Sequence, residues 1–313
     1  MATTKPKKTA SKAKSSTKAK TAAKSTKSVK TEKTVKPAVV AKKEVEQKVE
    51  TKPTNTNVVK DFFAKKCDNK ENILTIFKDK AIYGALIGEI FGTMFMTMVL
   101  LTLGVYQPLY LLFAMILVTV AVYSLSGAHL NPIVTAGMMA SRRVSAIRGT
   151  LYIIAQILGA WLGLVIINAF RIAGGEIADL PVMADVADGT FWMVSMIEFM
   201  GATIIGFFFA RALQYKRSAL TFAAVVGGGV MVAFVAAIIV SSTYCSLSDN
   251  FILNPAVALM YQILPTSGET AGELLGGIGM ALLTYAVFPV VGGIIGFYIS
   301  DIASKLKGES VQQ

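Results

Sequence analysis

The sequence predicts an all-α membrane protein with six transmembrane helices and two half-helices in an inverted repeat, preceded by a disordered N-terminal tail. Three observations predict it. Six apolar stretches are long enough to cross a bilayer. The pieces "GAHLNPIVTAG" (127–137) and "NFILNPAVALM" (250–260) each open a helix at Asn-Pro. Lys and Arg collect on one side of the topology that follows.

A membrane helix needs about 20 mostly apolar residues. Residues 81–104, 108–126, 149–170, 190–210, 218–242 and 275–299 all meet that length. They are apolar around most of the circumference, whereas a helix on a soluble core is apolar along one stripe. The basic clusters "SRRVSAIR" (Arg142, Arg143, Arg148), "ARALQYKR" (Arg211, Lys216, Arg217) and "SKLKGE" (Lys305, Lys307) then share a face with the N-terminal tail. The opposite face receives "GVYQPLY" and the acidic loop 171–190. By the bias of Lys and Arg toward the cytoplasm, both termini are expected to be cytoplasmic, in a multi-pass protein of the cell membrane.

The tail accounts for the basic charge. Residues 1–60 hold seventeen Lys, four Glu and no aromatic residue, a net of +13 against +12 for the whole 313-residue chain. Such Lys/Ala/Ser/Thr low complexity cannot bury enough surface to order itself. It is expected to be a solvated cytoplasmic tail that fixes topology, with anionic lipid as its second role. Residues 61–80 form a juxtamembrane segment, in which "NVVKDFFAKK" (57–66) has the pattern of an interfacial helix. Residues 81–300 form the channel-like domain, with repeat one at 81–170 and repeat two at 190–299, and residues 301–313 form a C-terminal cytoplasmic tail. Two cysteines, Cys67 and Cys245, cannot staple a chain of this size. On this topology they face opposite sides of the bilayer.

The segments 131–141 and 254–264 are too short to span. Proline suits the first position of a helix, where its missing N–H costs nothing, so Asn131-Pro132 and Asn254-Pro255 each start a half-helix. The two starts lie 123 residues apart. They enter from opposite faces, with their N-termini near the middle. The spans echo each other as well: "GEIFGT" (Glu89, Gly92, Thr93) is matched by "EFMGAT" (Glu198, Gly201, Thr203). Three spans plus a half-helix, repeated in inverted orientation, place a site at the midplane between broken helices. Irregular backbone at that depth is tolerated only where it is packed in protein or lines water. An intramembrane carboxylate must likewise face inward to a partner.

"SGAHLNP" (126–132), "LNPA" (253–256) and the two Glu-containing segments resemble the major intrinsic proteins, the aquaporins and glycerol facilitators. The resemblance covers about residues 75–300 and implies a six-helix pore with two half-helices meeting end to end, assembled as a homotetramer with one pore per subunit. It implies Asn131 and Asn254 as amide donors to the solute at the pore centre. Backbone carbonyls around 126–130 and 249–253 would form a polar ladder, which Glu89 and Glu198 hold in place by accepting loop N–H groups. His129, the only histidine, fits best as a loop-packing residue.

Two departures from the family pattern bear on selectivity. Ile133 stands after the first Asn-Pro where Ala is common, while Ala256 keeps the pattern in the second. Val257 stands where an Arg is expected, matching Val134 of the first repeat. By alignment spacing the outer filter falls to Leu111, Ser242, Phe251 and Val257. The sequence therefore predicts passive, bidirectional conduction of small uncharged solutes, glycerol and related polyols as well as water, through a wide and apolar filter. An ion-conducting pore on the same scaffold is the alternative, motivated by the absent Arg. A tail-driven interaction protein with a closed pore is a third class. No nucleophile, base and carboxylate set, metal-ligand cluster or phosphate-cradling loop appears, so neither enzyme activity nor a cofactor is expected. The glycines of "VGGGV" (226–230) and "LLGGIG" (274–279) are expected to be helix-packing surfaces.

Overall fold

A computed structural model describes residues 73–103, 107–175, 190–214, 218–245, 251–263 and 271–308. The tail, the segment 57–66, Cys67, the loop 176–189 and residues 309–313 lie outside the described residues, and for Cys245 only the backbone is described. All regular elements among the described residues are helical. They are α1 (Ile73–Ile76), α2 (Ala81–Leu103), α3 (Pro108–Ser126), α4 (Pro132–Ala140) and α5 (Ala146–Ala173). The second half continues with α6 (Phe191–Gln214), α7 (Ala219–Val240), α8 (Pro255–Ala258), α9 (Ala271–Leu282) and α10 (Phe288–Lys307). Six of the described helices are long and apolar enough to cross a membrane. The chain is a multi-pass membrane protein.

Observed boundaries extend the expected ones where polar residues find partners. The last span shows this best: α10 runs to Lys307, well past residue 299, because Asp301 and Ser304 are buried there among polar side chains. A length rule based on apolar residues stops at the first charge and misses that continuation. The second half-helix also differs from the first. α4 is nine residues of regular helix, whereas α8 is four residues followed by a π-helical stretch, Leu259–Ile263. Two further π-helical stretches, Ser241–Cys245 and Leu283–Val287, extend α7 and join α9 to α10.

Packing follows the repeat. Within the first half α5 lies along α2, and within the second α10 lies along α6, while α3 and α7 join the halves. The half-helices cross over: α4 packs on α10 and α8 packs on α5. The long pairs touch backbone to backbone. A Cβ on Gly159 of α5 would sit 2.3 Å from the Ile90 carbonyl oxygen, and one on Gly292 of α10 would sit 2.3 Å from the Phe199 carbonyl oxygen. Only glycine allows that approach, and with little hydrophobic drive between helices in lipid such close contact is what holds them together. Of the predicted glycine surfaces, Gly227 meets α3 and Gly229 meets α6, whereas Gly279 faces open space. Large apolar side chains such as Leu117, Trp192 and Ile239 remain exposed on the outside, as expected where the surrounding solvent is hydrocarbon.

The short α1 closes one end. Ile76 is buried with Ile82, Ala85 and Tyr152 in a small apolar cluster separate from the main core. That cluster anchors the start of α2 to α5.

Candidate functional site

The two half-helices begin at Asn131 and Asn254, both in extended backbone, and each side chain caps its own helix. Asn131 Oδ1 accepts from the Ile133 N–H at 2.9 Å and Asn254 Oδ1 from the Ala256 N–H at 3.1 Å. Pro132 and Pro255 occupy the first helical position, where no intrahelical bond is lost. The amide nitrogens then reach across. Asn131 Nδ2 donates to the Leu253 carbonyl at 2.8 Å, and Asn254 Nδ2 donates to the Leu130 carbonyl at 3.2 Å. Each asparagine thus ties its own helix start to the loop preceding the other. This reciprocal pair fixes both amides in one orientation at the point where the half-helices meet.

The loops before each asparagine are strained and held. Ala128, Leu130 and Leu253 have φ of 55°, 54° and 53°, a left-handed conformation that costs a non-glycine residue about 1–3 kcal/mol each. Buried carboxylates offset that cost. Glu89 of α2 accepts from the His129 N–H at 3.0 Å and the Leu130 N–H at 2.8 Å. Glu198 of α6 accepts from the Ile252 N–H at 2.6 Å and the Leu253 N–H at 3.1 Å. Both glutamates are fully buried. Three residues after each Glu a glycine makes room for the loop: Cβ atoms on Gly92 and Gly201 would collide with the Leu130 and Leu253 side chains at 2.3 and 2.5 Å.

The two repeats differ around these carboxylates. In the first, Gln156 Nε2 donates to Glu89 at 2.7 Å and to Thr135 Oγ1 at 2.9 Å. The same Thr135 hydroxyl lies 3.1 Å from His129 Nδ1. His129 is buried with its ring edge-on to Tyr152 and Phe209, so it packs the loop against α5 and α6. Gln156 Oε1 is buried without a partner. The second repeat holds Glu198 through its two backbone donors and places Tyr285, also buried, near it.

Where the half-helices meet, a narrow lumen with about 40 Å³ of room for water-sized solutes can hold roughly three waters. Asn131, Asn254, Leu111 and Val257 line it, together with Val134, which mirrors Val257 across the pseudo-twofold. Ser242 and Phe251 do not line it. Ser242 is exposed on the π-helical end of α7, where its hydroxyl donates to the Ile238 carbonyl at 2.6 Å. Phe251 is buried with its ring 6.1 Å from that of Phe234. Ile133 is also away from the lumen, its side chain filling the space above Gly293 of α10. Met96, Met115, Val226, Val230 and Phe234 contribute wall that sequence reasoning did not single out. Val226 and Val230 flank the glycines of "VGGGV", a predicted packing surface, and otherwise only the position of Met96 seven residues after Glu89, mirrored by Ile205 seven after Glu198, offered a signal.

A second polar cluster lies at the end of α4 remote from the asparagines. Arg143, just past α4, makes a bidentate pair with Asp301 of α10, both bonds 2.8 Å, with side chains 5% and 1% exposed. Gln214 of α6 donates to the same carboxylate at 3.3 Å, and Tyr298 donates to the Ala140 carbonyl at 3.0 Å. The sequence marks Arg143 only as a charge setting topology. Its partner is 158 residues away, beyond any local pattern. No group of His, Cys, Asp and Glu among the described residues has the arrangement of a metal site.

Comparisons agree with this architecture. The family model described as major intrinsic protein matches residues 76–300. The probable aquaporin PIP2-1 of Oryza sativa subsp. japonica is 49% identical over 49 residues, which is 16% of this chain and 17% of that protein. The probable aquaporin PIP2-5 of Arabidopsis thaliana is 32% identical over 100 residues, 30% of this chain and 33% of that protein. The chain thus matches a third or less of the length of these relatives. The X-ray structure of the aquaglyceroporin from Plasmodium falciparum matches over 72% of this chain and 96% of that one, at 18% identity and a TM-score of 0.48. Since the family model covers well over half of the chain, with both half-helices, five membrane-spanning helices and most of the sixth, the chain belongs to the major intrinsic protein family.

Proposed function

We propose that the protein is a passive, bidirectional membrane channel for small uncharged solutes, conducting water, glycerol and related polyols through a pore centred on Asn131 and Asn254. The observation that carries this proposal is the reciprocal asparagine pair at the meeting of two half-helix N-termini, inside an otherwise apolar lumen. Each amide nitrogen has two hydrogens. One donates to the opposing leucine carbonyl, and among the described residues no protein acceptor takes the other. A passing hydroxyl or water is therefore met by donors and accepts from them.

Charge argues against ions. Each half-helix start carries roughly half a positive charge, which opposes cations at the centre. Among the described residues none that lines the lumen is charged, so an ion shedding its hydration finds no countercharge from them. Within the same proposal Leu111 and Val257 belong to the outer filter, and Glu89, Glu198 and His129 hold the loops. The chain sits in the cell membrane with both termini cytoplasmic, as a homotetramer with one pore per subunit. Its lysine-rich tail is free in solution or lies against anionic lipid.

Light scattering from proteoliposomes mixed with a glycerol gradient tests the proposal. A channel gives fast shrinkage as water leaves and fast reswelling as glycerol enters, both well above empty liposomes. Traces indistinguishable from empty liposomes would refute it, and a cation current across a planar bilayer would replace it with the ion-conducting alternative.

A further inference from the structure

The lumen does not extend equally to both sides of the asparagines. Met96 and Ile205 stand seven residues after Glu89 and Glu198, and both line it. Four residues further on, Leu100 of α2 lines it as well, whereas its counterpart Phe209 on α6 is turned into a cluster of rings. Phe222 of α7, four residues before the lumen-lining Val226, meets Phe209 edge-on with ring centroids 5.3 Å apart. Phe222 also lies against Tyr123 of α3 at 4.6 Å, and Phe209 reaches His129 at 5.9 Å. Centroids at these separations put the rings in contact. The rings come from α3, α6, α7 and the loop before α4, the same four elements that supply Met115, Ile205, Val226 and Leu130 to the lumen wall. Beyond Phe209, Phe297 carries the contacts on to Arg143. One turn past the lumen, its own walls thus converge on aromatic rings.

We propose, resting on the channel function above, that Phe222 forms a second constriction, on the side of the asparagines opposite Val257, and that movement of its ring limits how fast solutes pass. Its neighbours divide into fixed and movable ones. His129 is buried and held by Thr135 at Nδ1, and Phe209 is buried against both His129 and Phe297. Tyr123 is half-buried, so the Phe222 ring has room to turn on that side. While the three rings stay in contact, nothing the width of a carbon chain passes between them. A single water needs a smaller opening than glycerol does. The constriction therefore slows glycerol more than water, and it does so by size, whatever groups line the rest of the pore.

Light scattering of proteoliposomes gives water and glycerol permeability per reconstituted protein for the wild type and for Phe222→Leu, which stays apolar and removes the ring. Losing the ring contacts with Tyr123 and Phe209 should raise glycerol flux about fivefold and water flux less, in vesicles that remain tight to sucrose. A damaged fold lowers flux, so it cannot imitate this gain. Tyr123→Leu, at a half-buried position, repeats the test if Phe222→Leu does not fold, with the same direction expected. A folded variant whose glycerol flux is at or below wild type, or whose gain is equal for water and glycerol, would overturn the proposal while leaving a channel in place. A gain accompanied by sucrose leakage would overturn it too. Conduction by the variant with the wild type at the empty-liposome level would support the constriction and make the wild type a closed pore. If neither conducts, the channel function itself fails and the constriction falls with it.

Discussion

Replacing Glu198 by Gln isolates the carboxylate that holds the second loop. The substitution keeps size and shape but leaves one acceptor oxygen facing two backbone donors, the Ile252 and Leu253 N–H groups at 2.6 and 3.1 Å. The oxygen that stays loses its charge, which weakens its hydrogen bond by about 1 kcal/mol. The new NH2 group takes the place of Oε2, which accepts from the Leu253 N–H at 3.2 Å, so a donor is turned toward a donor and that N–H loses one of its two acceptors, at a further cost of about 1 kcal/mol. Leu253 at φ 53° is then no longer held in its left-handed conformation, and relaxing it carries its carbonyl away from Asn131 Nδ2. A loss of about 2 kcal/mol in loop stability is more than tenfold in population. Flux per protein should fall by at least about tenfold, with a lower midpoint of thermal unfolding in detergent. Glu89→Gln makes an internal comparison. There the two oxygens serve different loop donors, Oε1 the His129 N–H and Oε2 the Leu130 N–H, so the new NH2 group faces one of them whichever way the amide turns. Glu89→Gln should therefore be the more damaging of the two in both assays. Wild-type behaviour of Glu198→Gln, or lesser damage from Glu89→Gln, would refute this account of the loops.

Three other substitutions probe separate parts of the structure. Val257→Arg, at a position that lines the lumen, should narrow the filter and reduce glycerol flux more than water flux in the same vesicles. Unchanged glycerol flux would remove Val257 from the constriction. Ile133→Ala empties the space above Gly293 and should cost about 2–5 kcal/mol of stability, as large-to-small core changes do. The glycerol-to-water ratio should not move, because this side chain is away from the lumen; a changed ratio would place it there. Asp301→Asn leaves the buried Arg143 guanidinium without its bidentate partner and should destabilise by about 3–5 kcal/mol, read as a lower unfolding midpoint. Pairing it with Arg143→Met should recover part of that loss, and no recovery would mean the pair is not coupled.

The parts of the fold that the sequence revealed are those fixed by short-range rules. Six apolar lengths give the spans, and Asn-Pro after a left-handed loop gives the start of each half-helix. The repeated Glu–x–x–Gly spacing reflects two needs met together: a carboxylate for the loop N–H groups, and space for Leu130 or Leu253. What remained hidden depends on distance or on local irregularity. The Arg143–Asp301 pair joins residues 158 apart, and its burial lets α10 continue beyond the apolar run. The π-helical stretches follow no hydrophobic period, and one of them carries Ser242 at the end of α7. The lumen wall is mostly ordinary apolar side chains on four spans and the two half-helices, which composition alone cannot tell from core. Phe251 shows the converse, since the spacing that puts it beside the filter does not say that its ring turns toward Phe234.

The central claim is that two asparagine amides, held across the meeting of the half-helices, form the polar station of a conducting pore. Proteoliposome light scattering of the wild type beside the double substitution Asn131→Ser and Asn254→Ser tests it most directly. Serine keeps a helix-capping oxygen while removing both NH2 groups, so the half-helices retain their starts and the lumen exchanges its amide donors for two shorter hydroxyls. The wild type should conduct water and small neutral solutes well above empty liposomes, and the double variant should lose most of that flux while still folding. Wild-type flux at the empty-liposome level, or a double variant that conducts like the wild type, would contradict the claim.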